Sequence, residues 1–302
     1  MTYDFDWVDA FAERPFAGNA CCVVHGADDL DVATRCALVR ETSLSECAYL
    51  VASDVADFGA RYFLADREIP MAGHPTVATV VSLVSRGLVT LQDGRADFTL
   101  EVGSGVLPIV VTEAAWGGVT VEMTQARPRF GAYQDPGEVA AIYGLSADDV
   151  VGRPRIVSTG SAFCTTVLRS VAALERARLD VAALQAWRAS TGEAGAAIME
   201  PFLSVIGGGE AGTAEGCDVV SRLLLPPPLP AEDPFTGSAT GCLGAYLWSE
   251  GLIERPRFVA GQGDGLGRPG RAQVEALGPR DDVSGVKVAG SGVVLMSGTL
   301  RL

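Results

Sequence analysis

Two glycine turns carry the side chains best suited to chemistry in this chain. Residues 68–76 read E-I-P-M-A-G-H-P-T, and residues 232–240 read E-D-P-F-T-G-S-A-T. His74, which can donate or accept a proton near neutrality, follows the first turn glycine, Gly73; Ser238, a hydroxyl donor, follows the second, Gly237. In each copy about 13 residues poor in charge and rich in Ala, Val and Leu run on to a glycine that can cap a helix, Gly87 or Gly251. A helix start leaves its first amides without intrahelical partners and carries the positive end of the peptide dipole. Each turn is therefore suited to hold a small carboxylate against the backbone, with the glycine allowing close approach. Turns of this kind also serve simply to cap core helices, and the turns alone leave both readings open.

The two stretches are copies of one another. Residues 68–89 and 232–253, set at a constant offset of 164, share eight of 22 positions, among them Glu68/Glu232, Pro70/Pro234, Gly73/Gly237 and Thr76/Thr240. Upstream, residues 57–64 answer residues 218–225 at an offset of 161, so the second copy has three extra residues in the loop at 226–233. A spacing this long marks a duplicated domain, not a solenoid period. The expected architecture is α+β: two pseudo-symmetric domains, each built around a buried helix, with a pseudo-twofold bringing both helix starts to one cleft. The expected boundaries are 1–117 for the first domain, ending at Gly117-Gly118, and 118–285 for the second, with 286–302 as terminal strands able to return to the first. Strands are expected over 3–11, 20–24, 47–51, 58–64, 106–111, 119–123, 155–158, 163–168 and 219–225, and further helices over 28–40 and 180–189.

Composition narrows the partners. The 302 residues carry a net charge of −14, which argues against a phosphate backbone or an anionic membrane as ligand. With 48% hydrophobic and 20% charged residues the chain can bury two ordinary cores. No apolar run approaches the roughly 18 residues needed to span a bilayer, and the start, M-T-Y-D-F-D-W, lacks a signal-peptide pattern, so a cytoplasmic location is expected. Seven cysteines without a C-x-x-C pair, and only His25 and His74 to join them, predict reduced, buried thiols and no metal site. Residues 265–270, G-L-G-R-P-G, fit the dinucleotide pattern G-x-G-x-x-G, but Pro269 and the lack of a following helix make the match spurious, and no cofactor is expected.

Taken together, A-G-H-P-T at 72–76, E-D-P-F-T-G-S-A at 232–239, S-L-S-E at 43–46, V-D-A-F-x5-F-x-G-N at 8–19 and G-x-G-R-P at 265–269 resemble the phenazine-biosynthesis isomerase (PhzF-like) family, nearly end to end. The resemblance implies the diaminopimelate epimerase-like fold, two similar domains that each wrap a curved mixed sheet or barrel around a central helix, with the active site between them, and a homodimer. Read alone, Glu46 is an ordinary carboxylate at a loop-to-strand junction. The resemblance makes it the acid/base that moves a proton on the substrate, a task that needs a dry pocket to poise the carboxyl near neutrality. It also implies that His74 and Asp233 position or protonate the substrate, that Gly73, Gly237 and Ser238 offer donors to its carboxylate, and that Ser45 helps to bind it. The chain departs from the family at G-N-A-C (18–21), F-L-A-D (63–66) and Phe235, changes that put the dihydroxyanthranilate-type substrate in question.

Four other chemistries compete. In the related epimerases two thiols immediately precede the turn glycines, and Ala72 and Thr236 stand there instead, which rules out a thiol-pair mechanism. A serine hydrolase would need Ser238 in a G-x-S-x-G elbow; its context is T-G-S-A-T, and His74 lies in the mirrored turn. An epimerase using Glu46, and a non-catalytic module that only binds small carboxylates, remain as alternatives. The expected activity is a cofactor-independent isomerase that shifts a double bond in a small unsaturated amino or hydroxy acid, in secondary-metabolite biosynthesis.

Overall fold

The duplication in the sequence is a duplication of topology. The computed structural model describes residues 1–191, 199–207, 215–227 and 229–302. One unit comprises Met1–Thr124, Gly270–Ala272 and Val288–Leu302, the other Gln125–Pro269 and Gln273–Lys287. The first contains β1 (Thr2–Ala10), β2 (Asn19–Val24), α1 (Val32–Thr42), β3 (Cys47–Val51), β4 (Phe58–Phe63), β5 (Glu68–Ile69), α2 (Gly73–Ser85), β6 (Arg95–Val102), β7 (Gly105–Glu113) and β8 (Val119–Gln125). Then come β9 (Arg129–Tyr133), α3 (Pro136–Ala141), β10 (Val150–Ser158), β11 (Ala162–Leu168), α4 (Val171–Arg176), α5 (Val181–Ser190), β12 (Phe202–Ile206), β13 (Val219–Leu224), β14 (Glu232–Asp233), α6 (Gly237–Ser249), β15 (Arg257–Gln262), β16 (Gly270–Leu277) and β17 (Gly285–Arg301).

In the first unit β1 pairs antiparallel with β2, β2 parallel with β3, β3 antiparallel with β4, and β4 parallel with β6. From β6 the ladder runs through β7 and β8 to β17, which returns antiparallel to β1 and closes a barrel. In the second unit β10, β11, β12, β13 and β15 repeat the first five strands of that order with the same sense at every step, and β14 repeats the short strand β5. The outer neighbour of β10 is β9, antiparallel, as β17 is to β1.

Each repeated motif forms a 13-residue helix inside its unit, and both are buried from the turn glycine through the eleventh residue. Repeated residues make repeated bonds. Thr76 Oγ1 donates to the Ala72 carbonyl (2.7 Å), and Thr240 Oγ1 to that of Thr236 (2.9 Å). Both helices end in a Schellman motif: Leu88 N–H bonds the Leu83 carbonyl and Leu252 N–H that of Leu247, with Gly87 and Gly251 in the left-handed region. The shared Arg and Glu tie the strand to the turn. Arg222 donates through two nitrogens to Glu232 (3.0 and 2.7 Å), while Arg61 reaches Glu68 at 3.9 Å and bonds Glu101 at 2.7 Å.

Some elements differ from the sequence reading. The helix expected over 28–40 starts at Val32, because Asp31 caps it by accepting from Thr34 N–H (2.7 Å), whereas Asp28 accepts from Ala52 N–H. It also runs on to Thr42. Gly117 and Gly118 lie in the turn that joins the paired strands β7 and β8, and the first unit continues to Thr124.

A buried amide fixes the start of α6. Gln125 Nε2 donates to the Gly237 carbonyl (3.0 Å), and its Oε1 accepts from Thr159 Oγ1 (2.6 Å). A Cβ on Gly241 would lie 1.9 Å from that Oε1. Exchanging a helical glycine for alanine ordinarily stabilises by about 1 kcal/mol. Gly241→Ala is expected to do the reverse, losing about 1–3 kcal/mol as the tethered amide gives up its bonds; a denaturant midpoint at or above wild type would contradict this.

Candidate active site

β2 and β3 pair in parallel with Cys22 opposite Cys47, so Asn19 at the head of β2 and Glu46 just before β3 stand at one end of the ladder. His74 is the second residue of α2. These elements bring three polar side chains together: His74 Nδ1 lies 3.1 Å from Glu46 Oε2 and 3.1 Å from Asn19 Nδ2. His74 is only 2% exposed, and burial pushes its pKa down to about 3, so the ring is neutral at ordinary pH. Two atoms here, His74 Nε2 and Ser45 Oγ, are buried without any hydrogen-bond partner. Buried polar atoms are almost always satisfied, so unsatisfied ones mark a place for a ligand or water.

The second unit holds Asp233, Gly237 and Ser238 around the start of α6. Asp233 is buried, and its Oδ2 accepts from Thr236 Oγ1 at 2.5 Å. Gln262, at the end of β15, locks the turn from behind: it donates to the Asp233 carbonyl (2.7 Å) and to Thr236 Oγ1 (3.2 Å), and accepts from Thr236 N–H (3.0 Å). Ser238 is buried on the first turn of the helix. Neither N-cap residue, Ala72 or Thr236, uses its side chain to cap the helix that follows. Sequence reasoning missed Asn19 as a partner of His74 and missed Gln262 and Gln125; a lone amide at a strand end carries no local signal.

All seven cysteines are free and buried, and burial raises the Cys242 thiol to about 11 despite hydrogen bonds around Thr159. Among the described residues no three His, Cys, Asp or Glu side chains are grouped to hold a metal, and no helix is long and apolar enough to cross a membrane. A cavity of about 960 Å³ in the second unit, bordered by Leu174, Val220, Leu225 and Gln262, contains none of the predicted site residues. Arg222 and Glu232 on its wall are paired with each other at 2.7 Å.

Closed strand ladder, central helix and repeated unit define the diaminopimelate epimerase-like fold. A hydroxyproline epimerase from Agrobacterium vitis shares it, with a TM-score of 0.68 over 100% of this chain and 93% of that one at 14% identity. A phenazine biosynthesis protein of the PhzF family from Bacillus anthracis matches with a TM-score of 0.83 over the whole of both chains at 24% identity. The trans-2,3-dihydro-3-hydroxyanthranilate isomerase of Pseudomonas aeruginosa is 30% identical over 98% of each chain. The model of the phenazine biosynthesis-like protein family matches residues 8–298, and the chain belongs to that family. It is an isomerase.

Proposed function

We propose that this isomerase moves one proton between carbons of a small unsaturated amino or hydroxy acid, shifting a double bond without a cofactor, with Glu46 as the carrier. The observation that supports this most is the contact of the Glu46 carboxyl with a buried neutral imidazole, beside two polar atoms that no protein group satisfies. Glu46 takes the proton from one carbon and returns it to another. His74 and Ser45 hydrogen-bond the substrate, and the uncapped amides at Gly73 face its carboxylate or the charge that develops during transfer. Asp233, Gly237 and Ser238 take the binding and protonation roles their motif carries. The enzyme works in the cytoplasm as a homodimer.

The substrate named for the Pseudomonas relative, trans-2,3-dihydro-3-hydroxyanthranilate, is the first compound to try, followed by simpler unsaturated amino acids, since Phe235 and the segment 18–21 depart from the family pattern. The protonated Glu46 side chain, 15% exposed, exchanges with solvent before it returns a proton, so incubation in deuterium oxide is expected to give a product with a displaced double bond and label at the newly protonated carbon. Label at the α-carbon with inversion would identify an epimerase instead. Tight binding of such acids with no label and no shift would leave only a binding module.

A further inference from the structure

We infer that Asn19 is a positioning residue: its amide, 3.1 Å from His74 Nδ1, holds the ring in the Nε2–H tautomer and makes the buried Nε2 edge a hydrogen-bond donor to an oxygen of the substrate. This rests on the assignment of His74 to the site proposed above. Asn19 has little freedom to do otherwise. It is 3% exposed and paired with Ala10 across β1 and β2. Gly18 before it has φ +55°, and a Cβ there would lie 2.0 Å from the Ala10 carbonyl oxygen, so the backbone that presents the amide is closely packed.

A neutral imidazole carries one N–H and one lone pair. An amide N–H facing Nδ1 requires the lone pair on that nitrogen, which leaves the hydrogen on Nε2. Nε2 has no protein acceptor, and a donor left unpaired in the interior is costly until something accepts from it. An anionic or hydroxyl oxygen of the substrate does so; an ammonium group, which only donates, would not. The same lone pair faces Glu46 Oε2 at 3.1 Å. With Nδ1 an acceptor, that oxygen gains a hydrogen bond to the ring only while Glu46 is protonated, the state it enters on taking a proton from carbon. Asn19 thereby keeps the ring hydrogen on Nε2 and leaves Nδ1 as the side of the ring that faces the protonated acid.

The chain has only two histidines, His25 and His74, so ¹⁵N-histidine correlation spectra of the whole protein resolve both, with His74→Gln identifying the second. The substrate-free wild type at neutral pH is expected to show His74 protonated at Nε2 and bare at Nδ1. In Asn19→Leu the amide donor is lost and the Glu46 carboxylate, 3.1 Å from Nδ1, is left to draw the hydrogen to that nitrogen; the tautomer is expected to invert, with turnover falling about 10²-fold or more. A wild-type ring protonated at Nδ1 overturns the inference, as does an Asn19→Leu spectrum with the tautomer unchanged. Should Asn19→Leu fail to fold, the wild-type spectrum decides alone. An Nε2–H ring in a protein that isomerises no unsaturated acid leaves the inference standing and sinks the proposed reaction instead.

Discussion

Glu46→Gln is expected to abolish deuterium incorporation and lower turnover by about 10²–10⁴-fold, the usual contribution of a positioned proton carrier. At about 1.4 kcal/mol per tenfold this is roughly 3–5 kcal/mol of barrier. The amide is nearly isosteric with the carboxyl and can still approach His74 Nδ1 from the 3.1 Å position of Oε2, so the fold and substrate binding are expected to survive. What it cannot do is accept a proton from carbon. A structural role for Glu46 would instead appear as lost stability with activity per folded molecule retained. A variant that still exchanges label at the wild-type rate would move the carrier role to another residue, and the proposed mechanism with it.

How much of this was legible beforehand depends on how local each feature is. The helices α2 and α6 could be read because every part of their grammar lies in one segment: the turn glycine, the apolar run and the capping glycine. The family motif then brought in Glu46, which by itself looks like a solvated carboxylate. Its contact with His74 depends on the parallel pairing of β2 with β3, a relation no local pattern encodes. Asn19 is further removed, 55 positions from its partner. Local competition misled the reading of α1, where Asp28 and Asp31 are both fair caps and the choice is made by the distant Ala52 amide that occupies Asp28. β6 was overlooked because its sequence, R-A-D-F-T-L-E-V, dilutes the alternating pattern with charge; in the fold Arg95 pairs with Asp97 on the strand surface, and Glu101 with Arg61.

The other large effect is on stability and comes from a group with no part in the chemistry. Asp6, on β1, is 1% exposed and binds the far end of α2. It accepts from Ser82 Oγ (2.5 Å), from Arg86 Nε and Nη2 (2.7 and 2.9 Å) and from Ser297 Oγ (2.6 Å), while His25 Nε2 stands 3.2 Å away. Arg86 also reaches Asp4 at 3.3 Å and the Phe5 carbonyl at 3.2 Å, so two weaker partners remain when Asp6 is removed. Breaking a buried pair on one side costs about 3–5 kcal/mol, a large part of the 5–15 kcal/mol that holds a typical domain, and Asp6→Ala is expected to show that loss in its denaturant midpoint. Burial alone would raise the Asp6 carboxyl, but the bonds from Arg86, Ser297 and Ser82 hold it well below its ordinary 3.8. The folded protein thus binds this proton less readily than the unfolded chain. The stability Asp6 confers is whole above about pH 4 and drains away as pH falls from there toward the native value. His25 adds to the trend from higher pH: burial, then the Arg86 charge, lower its pKa below 6.5, so unfolding takes up a proton as pH drops through that value. Asp6→Asn, measured by denaturant titration across pH, is expected to lower the neutral plateau and flatten the limb below pH 4, while the His25 limb deepens, because the Asp6 charge and hydrogen bond partly hold the His25 pKa up. A variant that keeps the wild-type plateau and the full acid limb would show that the network carries no net stability.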